Sequence, residues 1–104
     1  MYEYKARLIS VTDADTVRLD LDLGFHEWRI GQPYRLLRIN APELNTSEGK
    51  IAKAALEQYL QGKTLMAMTQ RSDSFGCFLV ELYADGSNVS DWLVASGFAA
   101  YKAY

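Results

Sequence analysis

The sequence predicts a small α+β domain, mainly β, in which five strands form a barrel accompanied by two helices. Three observations predict it. Three segments of strand length occupy the first half of the chain, a segment with helical periodicity follows, and two further strands and a short helix complete the order. Short strands with a helix inserted after the third are typical of a five-stranded barrel of the OB type. An open α+β sheet with both helices on one face is the alternative that periodicity leaves open.

The first three strands differ in how clearly the sequence marks them. Residues 2–11 predict a first strand with imperfect alternation, whereas residues 17–23 alternate strictly between apolar and polar positions, as a half-buried strand does. Residues 24–33 contain two glycines and a proline and predict a loop or a distorted hairpin. Residues 34–39 predict the third strand, and Pro42 ends it.

The first helix is predicted over residues 47–62. Thr46 or Ser47 is a suitable N-cap, and Gly62 is a suitable end. The apolar stripe at helical spacing consists of Ile51, Ala52, Ala55, Leu56, Tyr59 and Leu60.

The second half of the chain predicts two strands, a turn and a short helix. The strands cover residues 64–70 and 77–84 and are joined by a turn at residues 71–76. After a second turn, residues 89–97 predict a helix that ends at Gly97, with Trp92, Leu93 and Val94 facing inward. The last residues predict a short extended piece.

Length and composition restrict the function classes. The 104 residues predict one domain, residues 1–104, and the 49% hydrophobic content is enough for a core. No segment approaches the roughly 20 apolar residues of a membrane helix, so no membrane partner is expected. No apolar segment follows Met1 as in a secretory signal, and the single cysteine, Cys77, forms no internal disulfide. These features predict a cytoplasmic protein.

The net charge of −2 and the pI of about 5.3 argue against general binding to duplex DNA. Contact with nucleic acid would have to be local or bridged by a metal ion. The acidic balance favours a protein partner or a small substrate.

Four motifs, in chain order, resemble those of the staphylococcal nuclease (thermonuclease-like) family. They are DADTVRL, YRLLRINAPE, QRSDSFG and YADG, and the resemblance runs from about residue 11 to residue 97. The resemblance implies an OB-fold barrel and calcium-dependent cleavage of single-stranded DNA and RNA.

The resemblance also implies roles for five residues around the first two motifs. Asp15 matches a calcium-ligating aspartate, and Asn40 stands where the family usually has a second one. Ala41 matches a position that ligates through its backbone carbonyl. Arg35 matches a phosphate-binding arginine, and Glu43 matches the glutamate assigned as general base or water-positioning group.

The third motif departs from the family pattern. Cys77 stands where the family has its second arginine, while Ser74 and Phe75 stand where it commonly has a lysine and a tyrosine that contact a nucleotide phosphate. Arg71 and Arg38 are the candidates to replace the missing arginine at the phosphate, but a substitute from another position rarely reproduces the geometry.

The chemistry of these residue types agrees with a weakened hydrolase. Phosphodiester hydrolysis needs an activated water and stabilisation of charge on the phosphate and the leaving oxygen. Arg35 offers a planar guanidinium to a phosphate, and Asp15 offers the oxygen ligand that calcium prefers. Asn40, in place of an aspartate, removes a negative charge from the ion site. Asp13 or Asp20 are candidates to support the ion ligands without binding the ion themselves. Loss of one preorganised donor typically costs about 2.7–4 kcal/mol in the transition state.

The sequence therefore predicts a nuclease-like protein with reduced or absent activity. The alternative is a non-catalytic pseudo-nuclease that binds a protein partner or an oligonucleotide, including the case of a regulatory protein of a phage or other mobile element. His26 is expected at the surface. Phe25 and Trp28 are expected either to form a hydrophobic lid over the barrel or to offer a base-stacking or partner-binding surface.

Overall fold

The computed structural model describes residues 2–72 and 78–102. Eight strands and two helices lie in this part of the chain. In chain order they are β1 (Tyr2–Asp13), β2 (Thr16–Gly24), β3 (Glu27–Leu36), β4 (Ile39–Asn40), α1 (Ser47–Leu60), β5 (Leu65–Ser72), β6 (Phe78–Ala84), β7 (Ser87–Asn88), α2 (Val89–Ala95) and β8 (Ala100–Tyr101).

Five of the strands close into a barrel. Their order is β3-β2-β1-β5-β6, and a parallel pairing of β3 with β6 joins the two ends, with Tyr34 opposite Phe78 and Leu36 opposite Val80. The other barrel pairings are antiparallel. The predicted five-stranded α+β barrel with two helices is confirmed, and the open-sheet alternative is wrong because the sheet closes on itself.

The segment between the second and third strands is a hairpin distorted by two register shifts, so of the two predicted alternatives the distorted hairpin is confirmed and the loop is wrong. β2 and β3 pair up to Gly24 and Glu27, so that Phe25 and His26 alone form the turn. Both turn residues have positive φ, 54° and 61°, as a two-residue hairpin turn with the twist of the strands requires. β3 therefore begins at Glu27 and ends at Leu36, before the predicted boundary.

The lid interpretation of the hairpin tip is wrong. The side chain of Phe25 is 99% exposed, and His26 is exposed as expected. Trp28 lies on β3 opposite Asp22 and is 40% exposed, with the Arg7 guanidinium 4.6 Å from its ring centroid. An almost fully exposed Phe25 covers no part of the barrel core.

Helix α1 packs against β1 and covers one side of the barrel. Thr46 caps it by accepting a hydrogen bond from Gly49 N, and Ala52, Leu56 and Leu60 are buried. Ile51 is 61% exposed, so the buried stripe is narrower than predicted. No helix in the described ranges is both long and apolar enough to cross a membrane.

The core fills the barrel and the space beneath the helices. Its buried apolar residues are Val11, Ala14, Val17, Leu19, Leu21, Tyr34, Leu36, Ile39, Ala52, Leu56, Leu60, Leu65, Ala67, Val80, Leu82, Ala84, Val89 and Leu93.

Helix α2 contributes Leu93 to this core, as predicted. Trp92 and Val94 are half-buried. The Trp92 ring stacks on Tyr59 of α1, with centroids 3.8 Å apart and planes 8° apart, and Phe98 packs beside it. The short tail after α2 is extended and pairs with β4.

Arg38 holds the turn between β3 and β4 to the other end of the chain. Its Nε donates to Glu81 at 2.6 Å, its Nη1 to Asp91 at 3.0 Å and its Nη2 to Asn88 at 3.2 Å. The Tyr101 hydroxyl also donates to Asp91, at 2.8 Å. Arg38 is therefore committed to a structural cluster, which excludes it as a candidate to replace the missing arginine.

Candidate active site

The turn between β1 and β2 presents Asp15 at one end of the barrel. Its backbone N–H donates to Asp13 Oδ1 at 3.1 Å, a local hydrogen bond that aspartate often forms in turns. Its carbonyl accepts from Leu36 N at 2.8 Å, which attaches the turn to the end of β3. The side chain is largely buried, with the residue 7% exposed. Asp15 is thus held by backbone contacts on both sides.

The Asp15 carboxylate is the centre of a small network of hydrogen bonds and an ion pair. Oδ1 accepts from the Thr16 hydroxyl at 3.3 Å, and Oδ2 accepts from Ala41 N at 3.1 Å. Arg35 Nη2 lies 3.5 Å from Oδ2 and donates to Asn40 Oδ1 at 3.3 Å. The structure therefore brings together four of the residues predicted from sequence: Asp15, Arg35, Asn40 and Ala41.

The two carboxyl groups of the turn have opposite pKa shifts. Burial, followed by the hydrogen bond and the charge of Asp15, raises the pKa of Asp13 to about 6. Burial also acts to raise the pKa of Asp15, but the hydrogen bonds from Asp13 and Ala41 N and the charge of Arg35 hold it below its ordinary value. Asp15 is therefore the ionised member of the pair, and negative charge accumulates at the turn when Asp13 also ionises.

Glu43 follows this cluster on the loop that leads into α1. Its backbone carbonyl accepts hydrogen bonds from Thr46 N at 3.0 Å and from the Thr46 hydroxyl at 2.6 Å. A Cβ built on Gly49 would lie 1.9 Å from that same carbonyl oxygen. The Glu43 side chain is exposed and forms no ion pair with the residues described. Its backbone is fixed while its carboxylate faces solvent.

Comparison with known proteins shows which family this chain belongs to. The family model described as "Staphylococcal nuclease homologue" matches residues 33–104, which is more than half of the chain. The chain belongs to the staphylococcal nuclease homologue family. That match includes Arg35, Asn40, Ala41 and Glu43, whereas Asp15 lies before it.

Two curated proteins illustrate the relatives of this family member. It is 30% identical over 100 residues to an "Uncharacterized endonuclease" of Escherichia coli O157:H7, covering 94% of this chain and 61% of that protein. It is 38% identical over 71 residues to a "Probable staphylococcal-like nuclease" of Oryza sativa subsp. japonica, covering 67% of this chain and 22% of that protein. The chain thus spans about three-fifths of the length of the bacterial relative.

The side-chain oxygens around Asp15 are of the chemical type that a hard cation such as calcium binds. Asp15 Oδ2 and Asn40 Oδ1 each lie within 3.5 Å of Arg35 Nη2, and side-chain oxygens are the ligands that calcium prefers. Within residues 2–72 and 78–102, no group of three or more His, Cys, Asp or Glu side chains is placed to hold a metal. These residues therefore fit calcium by the type of their oxygen atoms, but only Asp15 among them offers a charged ligand.

The remaining predicted site residues are not all placed. Ser74, Phe75 and Cys77 lie outside the described residues, and of Arg71 only the backbone, in β5, is described. Asp20 is buried elsewhere, where it accepts from Arg7 Nη2 at 3.0 Å and from Gly31 N at 2.7 Å. Of the two supporting candidates, Asp13 therefore adjoins the site, and the prediction for Asp20 is wrong.

Sequence reasoning missed two contributors to the site. Thr16 donates to Asp15, and its position directly after the aspartate was a signal for it. Gly49 packs against the Glu43 backbone, and a glycine within the first turn of a predicted helix was a signal because glycine disfavours helix.

Proposed function

We propose that this chain is a calcium-dependent phosphodiester hydrolase that acts on single-stranded DNA or RNA, with turnover reduced or lost. The observation that carries the proposal is the convergence of Asp15, Arg35, Asn40 and Ala41 through contacts of 3.1–3.5 Å. The family membership and the endonuclease names of the relatives support it.

In this proposal Arg35 binds the phosphate of the substrate. Its Nη2 atom is placed by Asp15 and Asn40, and its side chain is 28% exposed, so part of the guanidinium faces solvent. A guanidinium oriented by a carboxylate binds a phosphate oxygen with little loss of side-chain entropy. Arg35 would therefore orient the phosphate and stabilise the charge that develops on it.

Calcium, when bound, would supply positive charge to the phosphate and lower the pKa of a water. Asp15, Asn40 Oδ1 and the backbone carbonyl of Ala41 would hold it. Because calcium affinity depends on the number of charged ligands, an amide at position 40 predicts weak binding.

Glu43 would orient and deprotonate the attacking water. The fixed backbone of its loop and the solvent-facing carboxylate suit this role. The loss of turnover follows from two positions, because Asn40 lowers the charge of the ion site and Cys77 supplies no guanidinium. Each change weakens stabilisation of the transition state rather than removing the fold.

A non-catalytic nucleic-acid or protein binder is the second candidate. The same two residues, Asn40 and Cys77, favour it, as does the acidic pI of about 5.3. Arg35 would bind a phosphate in either case, so binding alone does not distinguish the two functions.

A restoration experiment distinguishes them. Labelled single-stranded DNA and RNA are incubated with wild type and with Asn40→Asp/Cys77→Arg, in calcium and in chelator. We expect calcium-dependent cutting by the double variant at least roughly 100-fold faster than by wild type. Adding Glu43→Gln should abolish the cutting, whereas the matched change Glu48→Gln, at an exposed residue in the first turn of α1, should not.

Each alternative outcome has a definite meaning. A folded double variant that never cuts shows that the proposed catalytic residues are wrong. Wild type that binds the oligonucleotides but does not cut them supports the non-catalytic binder. Calorimetric titration tests the ion separately, because failure to saturate at millimolar calcium would contradict the proposed ligands.

A further inference from the structure

A cavity of about 290 Å³ opens at the mouth of the barrel. It is lined by Tyr4, Leu21, Leu23, Arg29, Tyr34, Thr69 and Phe78. Pockets for drug-sized ligands span about 300–1,000 Å³, so this volume suits a ligand with one small ring system. None of its lining residues belongs to the site around Asp15.

The cavity and the active site occupy opposite faces of β3. Tyr34 and Arg35 are consecutive residues of this strand, so their side chains point in opposite directions. Arg35 contacts Asp15, whereas Tyr34 is buried in the core. A ligand in the cavity would therefore not need to displace any contact at the active site.

The hydroxyl of Tyr34 is a buried polar group without a partner. Tyr34 is 1% exposed, and its hydroxyl oxygen is the one buried side-chain polar atom that lacks a hydrogen bond among the described residues. Burial raises the pKa of Tyr34, although the positive charge of Arg29 opposes this, so the hydroxyl keeps its proton and can donate. Such a group costs free energy until an acceptor reaches it.

The walls of the cavity suit a flat aromatic ligand. Tyr34 and Phe78 pack with ring centroids 6.1 Å apart, and the Arg29 guanidinium lies 4.3 Å from the Phe78 centroid. No carboxylate partner of Arg29 is present in the described part of the chain, and the residue is exposed. Aromatic rings and a guanidinium are the groups on which nucleobases stack in proteins.

We propose that this cavity binds a nucleobase, which stacks on its aromatic walls and accepts a hydrogen bond from the Tyr34 hydroxyl. A base fits because it is planar and carries carbonyl and ring-nitrogen acceptors on its edge. The choice of a nucleobase over another flat heterocycle rests on the proposed function. The base comes either from a free nucleoside or from a strand bound nearby, and the experiment below separates these sources.

The test uses nucleosides, which carry no phosphate for Arg35 to bind. Uridine and thymidine, whose bases have a single ring, are titrated into the protein in chelator and followed by NMR chemical shifts. We expect saturable shifts at Leu21, Leu23 and Thr69. Dihydrouridine keeps the carbonyl acceptors of uridine but is not flat, so its binding should be weaker.

A pair of tyrosine variants tests the hydrogen bond. Tyr34→Phe removes only the hydroxyl and should weaken nucleoside binding about fivefold, the value of one typical hydrogen bond. Tyr83→Phe, at a half-buried residue of β6 outside the cavity, should have no effect. Because Tyr34→Phe also removes the unpartnered group, its melting temperature should equal or exceed that of wild type, which shows that it folds.

Two results would overturn the proposal: no saturable binding of any nucleoside at millimolar concentration, or equal affinities of wild type and Tyr34→Phe. An oligothymidine titration then identifies the source. If Tyr34→Phe weakens oligonucleotide binding as well, the cavity takes a base of the strand; if it weakens only nucleoside binding, the cavity takes a free nucleoside. Neither titration involves hydrolysis, so failure of the nuclease proposal and failure of this one are distinguishable.

Discussion

The carboxyl groups of Asp13 and Asp15 lie two residues apart, yet their pKa values move in opposite directions. Asp15 accepts hydrogen bonds from Thr16 and Ala41, which favour its ionised form. Asp13 accepts one from the Asp15 backbone N–H, but burial and the Asp15 carboxyl group outweigh it. This is an arrangement that a cation would stabilise, and in the metal-free protein it costs stability once both groups are ionised.

A pH dependence of stability follows for the metal-free protein. The native pKa of Asp13, about 6, lies above its unfolded value, so its contribution is fully present below about pH 4 and is lost as pH rises through about 6. After discounting for solvent exposure, we expect a loss of about 1 kcal/mol between pH 5 and 7. Denaturant unfolding in chelator should show this loss in wild type and in Glu57→Gln, but not in Asp13→Asn. An unchanged slope in Asp13→Asn would refute the assignment.

Gly49 is predicted to fix the position of Glu43. An alanine Cβ would lie 1.9 Å from the Glu43 carbonyl oxygen and 3.0 Å from Leu44 Cα, and both are backbone atoms. Gly49→Ala should therefore lower the free energy of unfolding by about 1–3 kcal/mol despite the better helix propensity of alanine. When Gly49→Ala is added to the Asn40→Asp/Cys77→Arg variant, it should reduce the rate of cutting more than the affinity for the oligonucleotide. Lys50→Ala, at the exposed next residue, is the control, and a stabilised Gly49→Ala would contradict this packing.

At the level of elements, the β2–β3 hairpin is built on an unusual turn. Phe25 and His26 both adopt positive φ, which costs side chains with a Cβ about 1–2 kcal/mol each. Replacing the pair with Asn-Gly should raise the free energy of unfolding by about 1–2 kcal/mol, measured by denaturant titration. Phe25→Ala keeps a Cβ at the strained position, so it should not reproduce the gain. A gain of equal size in Phe25→Ala would assign the effect to the exposed ring instead of the backbone.

This turn also shows where sequence-based prediction stops. The strict alternation of β2 and the capped periodicity of α1 are local patterns, and both elements were predicted. For the hairpin, the sequence left a loop and a distorted hairpin open, because Phe-His lacks the glycine or asparagine that usually marks such a turn. The parallel closure of β3 on β6 joins residues more than forty positions apart, and no periodicity shows it.

The candidate site was predicted to a similar extent. Motif resemblance identified Asp15, Arg35 and Asn40, which the fold brings into contact. It did not identify Gly49, whose role depends on a backbone approach that only the folded chain creates. The barrel-mouth cavity was also missed, because Tyr34 has the sequence signature of an ordinary core residue.

Across the whole molecule, the Arg38 cluster connects the candidate site to the C-terminal part of the chain. Arg38 binds Glu81 of β6 and Asp91 of α2, and its carbonyl accepts from Lys102 N at 2.7 Å. β4 starts at the next residue and contains Asn40, which pairs with Ala100. The position of Asn40 therefore depends on contacts formed some sixty residues later in the sequence.

Arg38→Met should consequently weaken both stability and the site. It leaves the Glu81 carboxylate without its guanidinium, and we expect the free energy of unfolding to fall by about 2 kcal/mol. Calcium or oligonucleotide affinity should fall as well, although Arg38 contacts neither Asp15 nor Asn40 in the structure. Lys50→Met, at an exposed residue of α1, is the control for loss of a positive charge.

A double-mutant cycle shows whether the cluster acts as a unit. In Arg38→Met/Glu81→Met neither partner is left charged and alone, so the double variant should be more stable than the sum of the single losses predicts. Strictly additive losses would mean that the two side chains do not interact in solution. Loss of stability with unchanged affinity would show that β4 keeps Asn40 in place without Arg38, and that the connection between the C-terminal strand and the site is structural only.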